Sequence, residues 1–155
     1  MNTLIEEYLR ARGVRYFRGH HDDEYFFLVD FQSDFCLDAS NGRLHVHLEV
    51  SGAARNDVQL SITPDRFYPA AKRDLLTSLA TRWTAGSGGA EAVVHDSSDP
   101  ALVGITVLDR FRPTSGAGLA YFVDQSIASA IELFEQVNAE ALPAHPGPAV
   151  LRDAG

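Results

Sequence analysis

The stretch "GRLHVHLEV", residues 42–50, alternates apolar and polar side chains from its second residue to its last. Side chains that alternate with period two lie on opposite faces of a β-strand, so the pattern predicts a strand with one buried face and one wet face. The buried face holds Leu44, Val46, Leu48 and Val50, and the wet face holds Arg43, His45, His47 and Glu49. Neighbouring strands must match the buried face in register, which is why this stretch decides the fold.

Residues 14–31, "VRYFRGHHDDEYFFLVDF", predict two strands joined by the polar turn "GHHDD", because aromatic and β-branched side chains fill both arms. In the second arm, Tyr25 and Phe27 lie on one face, and Phe26 and Leu28 lie on the other. Apolar side chains on both faces predict that this strand is covered on both sides. A helix covers one side, and either a partner chain or further helices cover the other.

The dipeptide Asn41-Gly42 is the strongest short hairpin signal in the chain. Counting outward from it predicts that Cys36 lies opposite His47 and Asp38 opposite His45, on one face. A thiolate, two imidazoles and a carboxylate suit Zn²⁺ or Ni²⁺, so a metal-binding protein or metal-dependent enzyme is the alternative function. Ordinary cross-strand pairs on a wet face are the preferred interpretation, and no metal or cofactor is expected. The register holds only if "FQSDFCLDA", from residue 31 to 39, is a separate strand rather than a continuation of the previous one.

The remaining segments predict an α+β fold with an antiparallel sheet. Apolar stripes indicate three helices: one over "NTLIEEYLRAR", one whose stripe runs from Ala71 to Trp83 after start signals at Pro64, Asp65 and Pro69, and one that starts near Ser115. Further strands are expected at "NDVQLSITP", "AEAVVHD" and "ALVGITVLDRF". The predicted order is helix, four or five strands, helix, two strands, helix. We expect residues 1–138 to form one domain and the Pro-rich residues 139–155 to form a mobile tail.

Composition excludes several classes of function. The 155 residues carry a formal net charge of -8, which opposes binding to nucleic acid. The single cysteine, Cys36, permits no intrachain disulfide. No signal sequence and no apolar run of membrane-spanning length is present, so we expect a cytoplasmic protein without membrane insertion. The glycine-rich stretches "GSGG" and "SGAGLAY" lack the lysine or the third small residue of nucleotide-binding loops, and no catalytic motif is complete, so we do not expect an enzyme.

Aromatic residues crowd the first predicted strands beyond what one face of a short sheet buries. Such density favours an interface, either with a second copy of the chain or with another polypeptide. The candidate partner-binding residues are Tyr16, Tyr25, Phe26, Leu28 and Phe122. We therefore expect a non-enzymatic interaction module that forms a homodimer and binds a client or regulatory polypeptide partner; the resemblance described next implies that this module is chaperone-like or regulatory.

The opening "LIEEYLRARGVRYFR…DDEYFFLVDF", the strand "GRLHVHLEV" and the apolar final helix resemble the YbjN-like domains of the type III secretion chaperone-like fold. The resemblance covers roughly residues 1–138. It implies a compact bacterial α+β protein that dimerises and binds other polypeptides through apolar patches on its sheet and helices. The family suggests no catalytic residues to carry over, and the fold alone does not establish chaperone activity.

Overall fold

In the described part of the chain, seven antiparallel strands form one sheet and three α-helices accompany it, which confirms the predicted α+β fold. The computed structural model describes residues 1–21, 23–31 and 42–141. The helices are α1 (Asn2–Arg12), α2 (Arg73–Gly86, preceded by a 3₁₀ turn at Ala70–Lys72) and α3 (Gly116–Ala141). The strands are β1 (Tyr16–Arg18), β2 (Glu24–Phe31), β3 (Gly42–Ser51), β4 (Asp57–Pro64), β5 (Tyr68–Pro69), β6 (Glu91–Asp96) and β7 (Leu102–Phe111).

The long strand β3 lies between β2 and β4 in the sheet, whose order is β1-β2-β3-β4-β7-β5, with β6 paired to β7. On its buried face, Val46 lies opposite Phe27 of β2 and opposite Ile62 of β4. Buried and more exposed residues alternate along both β3 and β4. The predicted one-sided strand is therefore present, with apolar side chains of both neighbours in register with it.

The predicted hairpin register around Asn41-Gly42 is wrong. His47 lies opposite Phe26 and His45 opposite Leu28 on one edge of β3. The other edge is taken by β4, where these histidines face Ser61 and Thr63, as the sequence predicted. Both edges of β3 are thus occupied at these histidines by β2 and β4, where the predicted register required a strand from residues 35–40. Cys36, Asp38 and the rest of residues 32–41 lie outside the described residues, and so does most of the stretch "FQSDFCLDA".

The core lies between one face of the sheet and the helices. The sheet contributes its alternating buried side chains, and each helix contributes one apolar stripe. From α3 these are mainly Leu119, Val123, Ala130, Leu133, Phe134 and Val137; from α1 they are Ile5, Tyr8 and Leu9; and from α2 they are Leu76, Leu79 and Ala80. All three stripes join a single cluster with the sheet, so the helices form one layer on one face.

The second helix begins close to its predicted stripe, whereas the predicted end of the domain needs correction. Of the start signals, Pro69 directly precedes the 3₁₀ turn at Ala70–Lys72, while Pro64 is the last residue of β4. Tyr68 and Pro69 form a short strand that was not predicted and that pairs with β7. Tyr68 is buried, and its hydroxyl donates a 2.6 Å hydrogen bond to Oδ1 of buried Asn138, a long-range contact with α3. At the other end, α3 continues to buried Ala141, so the folded part passes residue 138; residues 142–155 lie outside the described residues.

A polar contact fastens α1 to α3. The Tyr8 hydroxyl donates a 2.8 Å hydrogen bond to Oδ1 of Asp124, and the Arg12 guanidinium donates to both carboxylate oxygens. Burial raises the pKa of Tyr8, and the bond to Asp124 raises it further. For Asp124, burial acts upward on the pKa, but the hydrogen bonds from Arg12 and Tyr8 outweigh it and hold the pKa below its ordinary value. The ionised carboxylate therefore stabilises the folded state.

Replacing Asp124 by Asn should lower the free energy of unfolding by about 1 kcal/mol at pH 7, a modest amount because the pair is partly exposed to solvent. A depressed folded-state pKa gives stability that is fully present above the unfolded-state pKa of about 3.9 and is lost as pH falls through the folded-state value. Urea unfolding from pH 7 to pH 3 should thus show wild type and Asp124→Asn converging in acid. As a control, Asp30→Asn, in a more exposed pair with Arg43, should change little; an equal effect of both substitutions would contradict the assignment.

Candidate functional site

We call the face of the sheet that points away from the helix layer the open face. It carries both apolar and polar side chains, namely Phe17, Phe26, Leu28, His45, His47, Ser61, Thr63 and Leu108. Cross-strand register places these residues together, since directly opposite residues of antiparallel strands share a face. Phe17 is paired with Phe26, Phe26 with His47, and His47 with Ser61. One row of neighbours thus runs across four strands.

Apolar side chains on the open face concentrate where β1 meets β2. Phe17 is 67% exposed, Phe26 is 41% exposed and Leu28 is 43% exposed, although all three are large hydrophobic residues. Together with the neighbouring polar residues of β3 and β4, they line a concave region of about 510 Å³. Large apolar side chains gathered in a concave, solvent-exposed region are typical of interaction sites.

The histidines of the open face each lie beside a carboxylate. The ring of His47 stacks on Phe26 with 4.5 Å between ring centroids, and its Nε2 lies 3.1 Å from Oε2 of Glu24. The Nε2 of His45 lies 3.6 Å from Oδ1 of Asp65. These contacts place ionisable groups around the apolar side chains, the arrangement of a polar rim around an apolar centre.

The alternative metal site was expected to use Cys36, Asp38, His45 and His47, of which Cys36 and Asp38 lie outside the described residues. Within residues 1–21, 23–31 and 42–141, no group of three or more His, Cys, Asp or Glu side chains is placed to hold a metal ion. His45 and His47 have Leu28 and Phe26 as their β2 neighbours, where the predicted register required Asp38 and Cys36. The wet-face interpretation of the two histidines agrees with their described surroundings.

The five candidate partner-binding residues fall in three different places. Phe26 and Leu28 lie on the open face. Tyr25 is fully buried and so belongs to the core rather than to a surface, because it lies opposite Leu48 on the helix-covered side. Tyr16 is half-buried beside it, with 5.8 Å between the ring centroids. Phe122 lies on the helix side of the sheet, a layer away from Phe26.

Sequence reasoning missed Phe17 and Leu108, which are exposed on the open face. Phe17 lies in a strand of three residues, too short for alternation to identify its outward side. Its pairing with Phe26 was available only through the hairpin register, which depends on the length of the polar turn. Leu108 follows a run of apolar residues in β7, where the sequence pattern does not separate the two faces.

The fold and the open face define a class of small α+β protein with helices on one side of an antiparallel sheet. The crystal structure of YbjN from E. coli, described as a candidate transcription regulator, has this fold: it superposes with a TM-score of 0.63 at 18% sequence identity, covering 92% of this chain and 95% of that one. This supports the predicted resemblance to YbjN at the level of the fold. No family model matches the chain, and no curated protein matches it.

Membrane insertion through a helix finds no support in the described part of the chain. None of its helices is both long enough and apolar enough to span a bilayer.

Adjacent residues of β2 should respond differently to truncation. Phe27 is 3% exposed, so Phe27→Ala should lower the free energy of unfolding by about 3–5 kcal/mol. Phe26 lies on the open face, so Phe26→Ala should cost about 1 kcal/mol or less, for the lost stacking on His47. Chemical denaturation of both variants measures the difference. Equal losses would mean that Phe26 is also a core residue and would remove it from the candidate site.

Proposed function

We propose that this protein is a non-enzymatic protein-interaction module of the bacterial cytoplasm that binds a polypeptide through its open face. The observation that carries the proposal is the cluster of Phe17, Phe26 and Leu28, which are exposed side by side on the face of the sheet opposite the helices. Covering these side chains removes apolar surface from water, which is the main driving force of protein association.

The composition of the open face supports a polypeptide partner. Phenylalanine and leucine form its centre, and the His47–Glu24 and His45–Asp65 contacts lie at its edge. An apolar centre binds apolar side chains of a partner, whereas the polar edge accepts hydrogen bonds and orients that partner. The aromatic centre gives affinity, and the charged edge gives selectivity.

A second copy of the chain is the first partner that we propose. A two-fold axis through the Phe17–Phe26 pair would bring the same apolar cluster of each copy together, as in the isologous interfaces of most homodimers. The strand β1 lies at the end of the sheet and pairs with β2, so its outer edge can also accept a partner strand. We also propose a chaperone-like role, in which a client polypeptide is bound on the same face.

A regulatory role comes to this chain only by its similarity to YbjN. That neighbour is described as a candidate transcription regulator, and at 18% identity the similarity supports the fold rather than the activity. The net charge of -8 disfavours direct contact with nucleic acid, so we propose that any regulatory effect passes through protein partners.

Native mass spectrometry of the untagged protein, purified from its own organism, tests the proposal. Wild type should be a dimer or retain a polypeptide. The double variant Phe26→Ser/Leu28→Ser should be monomeric and free of retained polypeptide, because two apolar side chains of the cluster are lost, while its far-UV circular dichroism stays unchanged.

Phe67→Ser is the matched control, since it removes a 39% exposed aromatic side chain that lies outside the open face, between β4 and β5. It should leave the dimer or the retained polypeptide in place. A wild-type protein that is monomeric without any bound polypeptide would overturn the proposal. So would a folded double variant that still assembles like wild type.

A further inference from the structure

A second concave region lies on the helix side of the sheet, remote from the open face. We call it the helix-side cleft; it has a volume of about 250 Å³. Its floor is formed by Asp109 and Phe111 of β7, and its walls by Trp83 of α2 and by Phe122 and Ser126 of α3. Ligand pockets for drug-sized molecules have volumes of about 300–1,000 Å³, so this cleft suits a smaller group.

The cleft contains a carboxylate without a counter-charge. Asp109 accepts a 3.2 Å hydrogen bond from the Ser126 hydroxyl and a 2.8 Å bond from the backbone N–H of Arg110. Across the described ranges, no basic side chain forms an ion pair with it. The side chain of Arg110 belongs to the opposite face, because its cross-strand neighbour is Gln59.

Other partly buried carboxylates of the protein differ from Asp109 in this respect. Asp23 is paired with Arg55, Asp57 with Arg112, and Asp124 with Arg12. A partly buried charge loses hydration, and an opposite charge beside it offsets that loss. Asp124 also lines a concave region, of about 240 Å³, but Arg12 lines it too and already pairs with the carboxylate. Asp109 differs in having no basic partner among the described residues of its cleft.

Aromatic side chains surround the carboxylate. Phe111 and Phe122 stack with 4.8 Å between their centroids and an angle of 15° between the rings, and Trp83 and Tyr121 also line the cleft. The faces of aromatic rings attract organic cations, tryptophan most strongly. Asp109 is the one carboxylate of the lining, and its other oxygen donors are neutral hydroxyl and amide groups. Hard metal ions favour several carboxylate or carbonyl oxygens, whereas an organic cation uses both the aromatic rings and the single charge.

We propose that the helix-side cleft binds an organic ammonium or guanidinium group on a short aliphatic stem. The carboxylate of Asp109 pairs with the charge, and Trp83 and Phe122 contact the stem and the face of the cation. The source is either a free amine or a lysine or arginine side chain of a peptide, and the chemistry of recognition is the same for both. The site is independent of the open face, which lies on the other side of the sheet.

Trp83 is the single tryptophan of the chain and lies in the cleft wall, so its fluorescence reports binding directly. Wild type is titrated with choline, with agmatine and with a short arginine-containing peptide, at constant ionic strength. The uncharged analogue 3,3-dimethyl-1-butanol and the citrulline form of the peptide are the neutral controls. Isothermal titration calorimetry runs in parallel and detects binding that leaves the fluorescence unchanged. At least one cation should give a saturable signal that its neutral counterpart does not.

Asp109→Asn is the decisive variant, since it removes the charge, keeps one acceptor oxygen for the backbone N–H of Arg110, and has an amide N–H that can donate to the Ser126 hydroxyl. It should weaken cation binding about tenfold or more, as expected for the loss of a charge-assisted contact. Asp30→Asn, an exposed carboxylate at the far side of the sheet, should bind like wild type, and so should Phe26→Ser/Leu28→Ser. Circular dichroism checks that each variant is folded.

The outcomes separate the two sources. Saturation by choline or agmatine alone assigns the cleft to a free amine, and saturation by the arginine peptide alone assigns it to a peptide side chain. Absence of saturable binding by all three probes in both measurements would overturn the proposal. Equal affinity of wild type and folded Asp109→Asn would overturn it too. Failure here leaves the open-face proposal standing, because that proposal is tested by assembly and by residues of another face.

Discussion

The one-sided burial of β3 is the constraint on which the rest of the structure depends. Leu44, Val46 and Leu48 point into the core, and their neighbours on β2 and β4 are apolar in the same register. A slip of one residue would place His45 and His47 in the core, where burying imidazoles without partners is costly. Because β3 lies between the long strands β2 and β4, its register fixes the register of both neighbours. It thereby determines which side chains of all three strands face the helices.

The two faces of the sheet consequently have different physical characters. On the helix side, Arg12 and Tyr8 bind the Asp124 carboxylate, and this contact joins α1 to α3. The carboxylate of Asp109, in a cleft lined by aromatic rings, has no such basic partner among the described residues. On the open face, β3 and β4 present polar side chains, whereas β1 and β2 present Phe17, Phe26 and Leu28. The proposed interaction surface is therefore an apolar end of an otherwise polar face.

Much of the fold could be predicted because hydrophobic periodicity reports burial directly. The three helices, the long strands and the polar neighbours of His45 and His47 all followed from alternation or helical spacing. The hairpin at Asn41-Gly42 failed because a turn signal is local, while strand pairing is decided by which strand matches the whole buried face. The short strand at Tyr68 and Pro69 was not predicted for a related reason, since the buried contact of Tyr68 with Asn138 joins residues far apart in the chain. Of the cluster Phe17, Phe26 and Leu28, two residues were among the predicted candidates and Phe17 was missed. Tyr25, another candidate, lies in the core.

The sequence by itself determined that the chain forms an antiparallel α+β fold, that β3 has one wet face, and that more aromatic residues cluster near the start than one face can bury. Only the tertiary structure decided which face of β2 the helices cover, that Phe17 joins Phe26, and that Asp109 meets Trp83 and Phe122 in one cleft. The physical reason is that periodicity separates two faces of an element but does not say which face is covered. That choice depends on long-range packing of α1, α2 and α3 against the sheet.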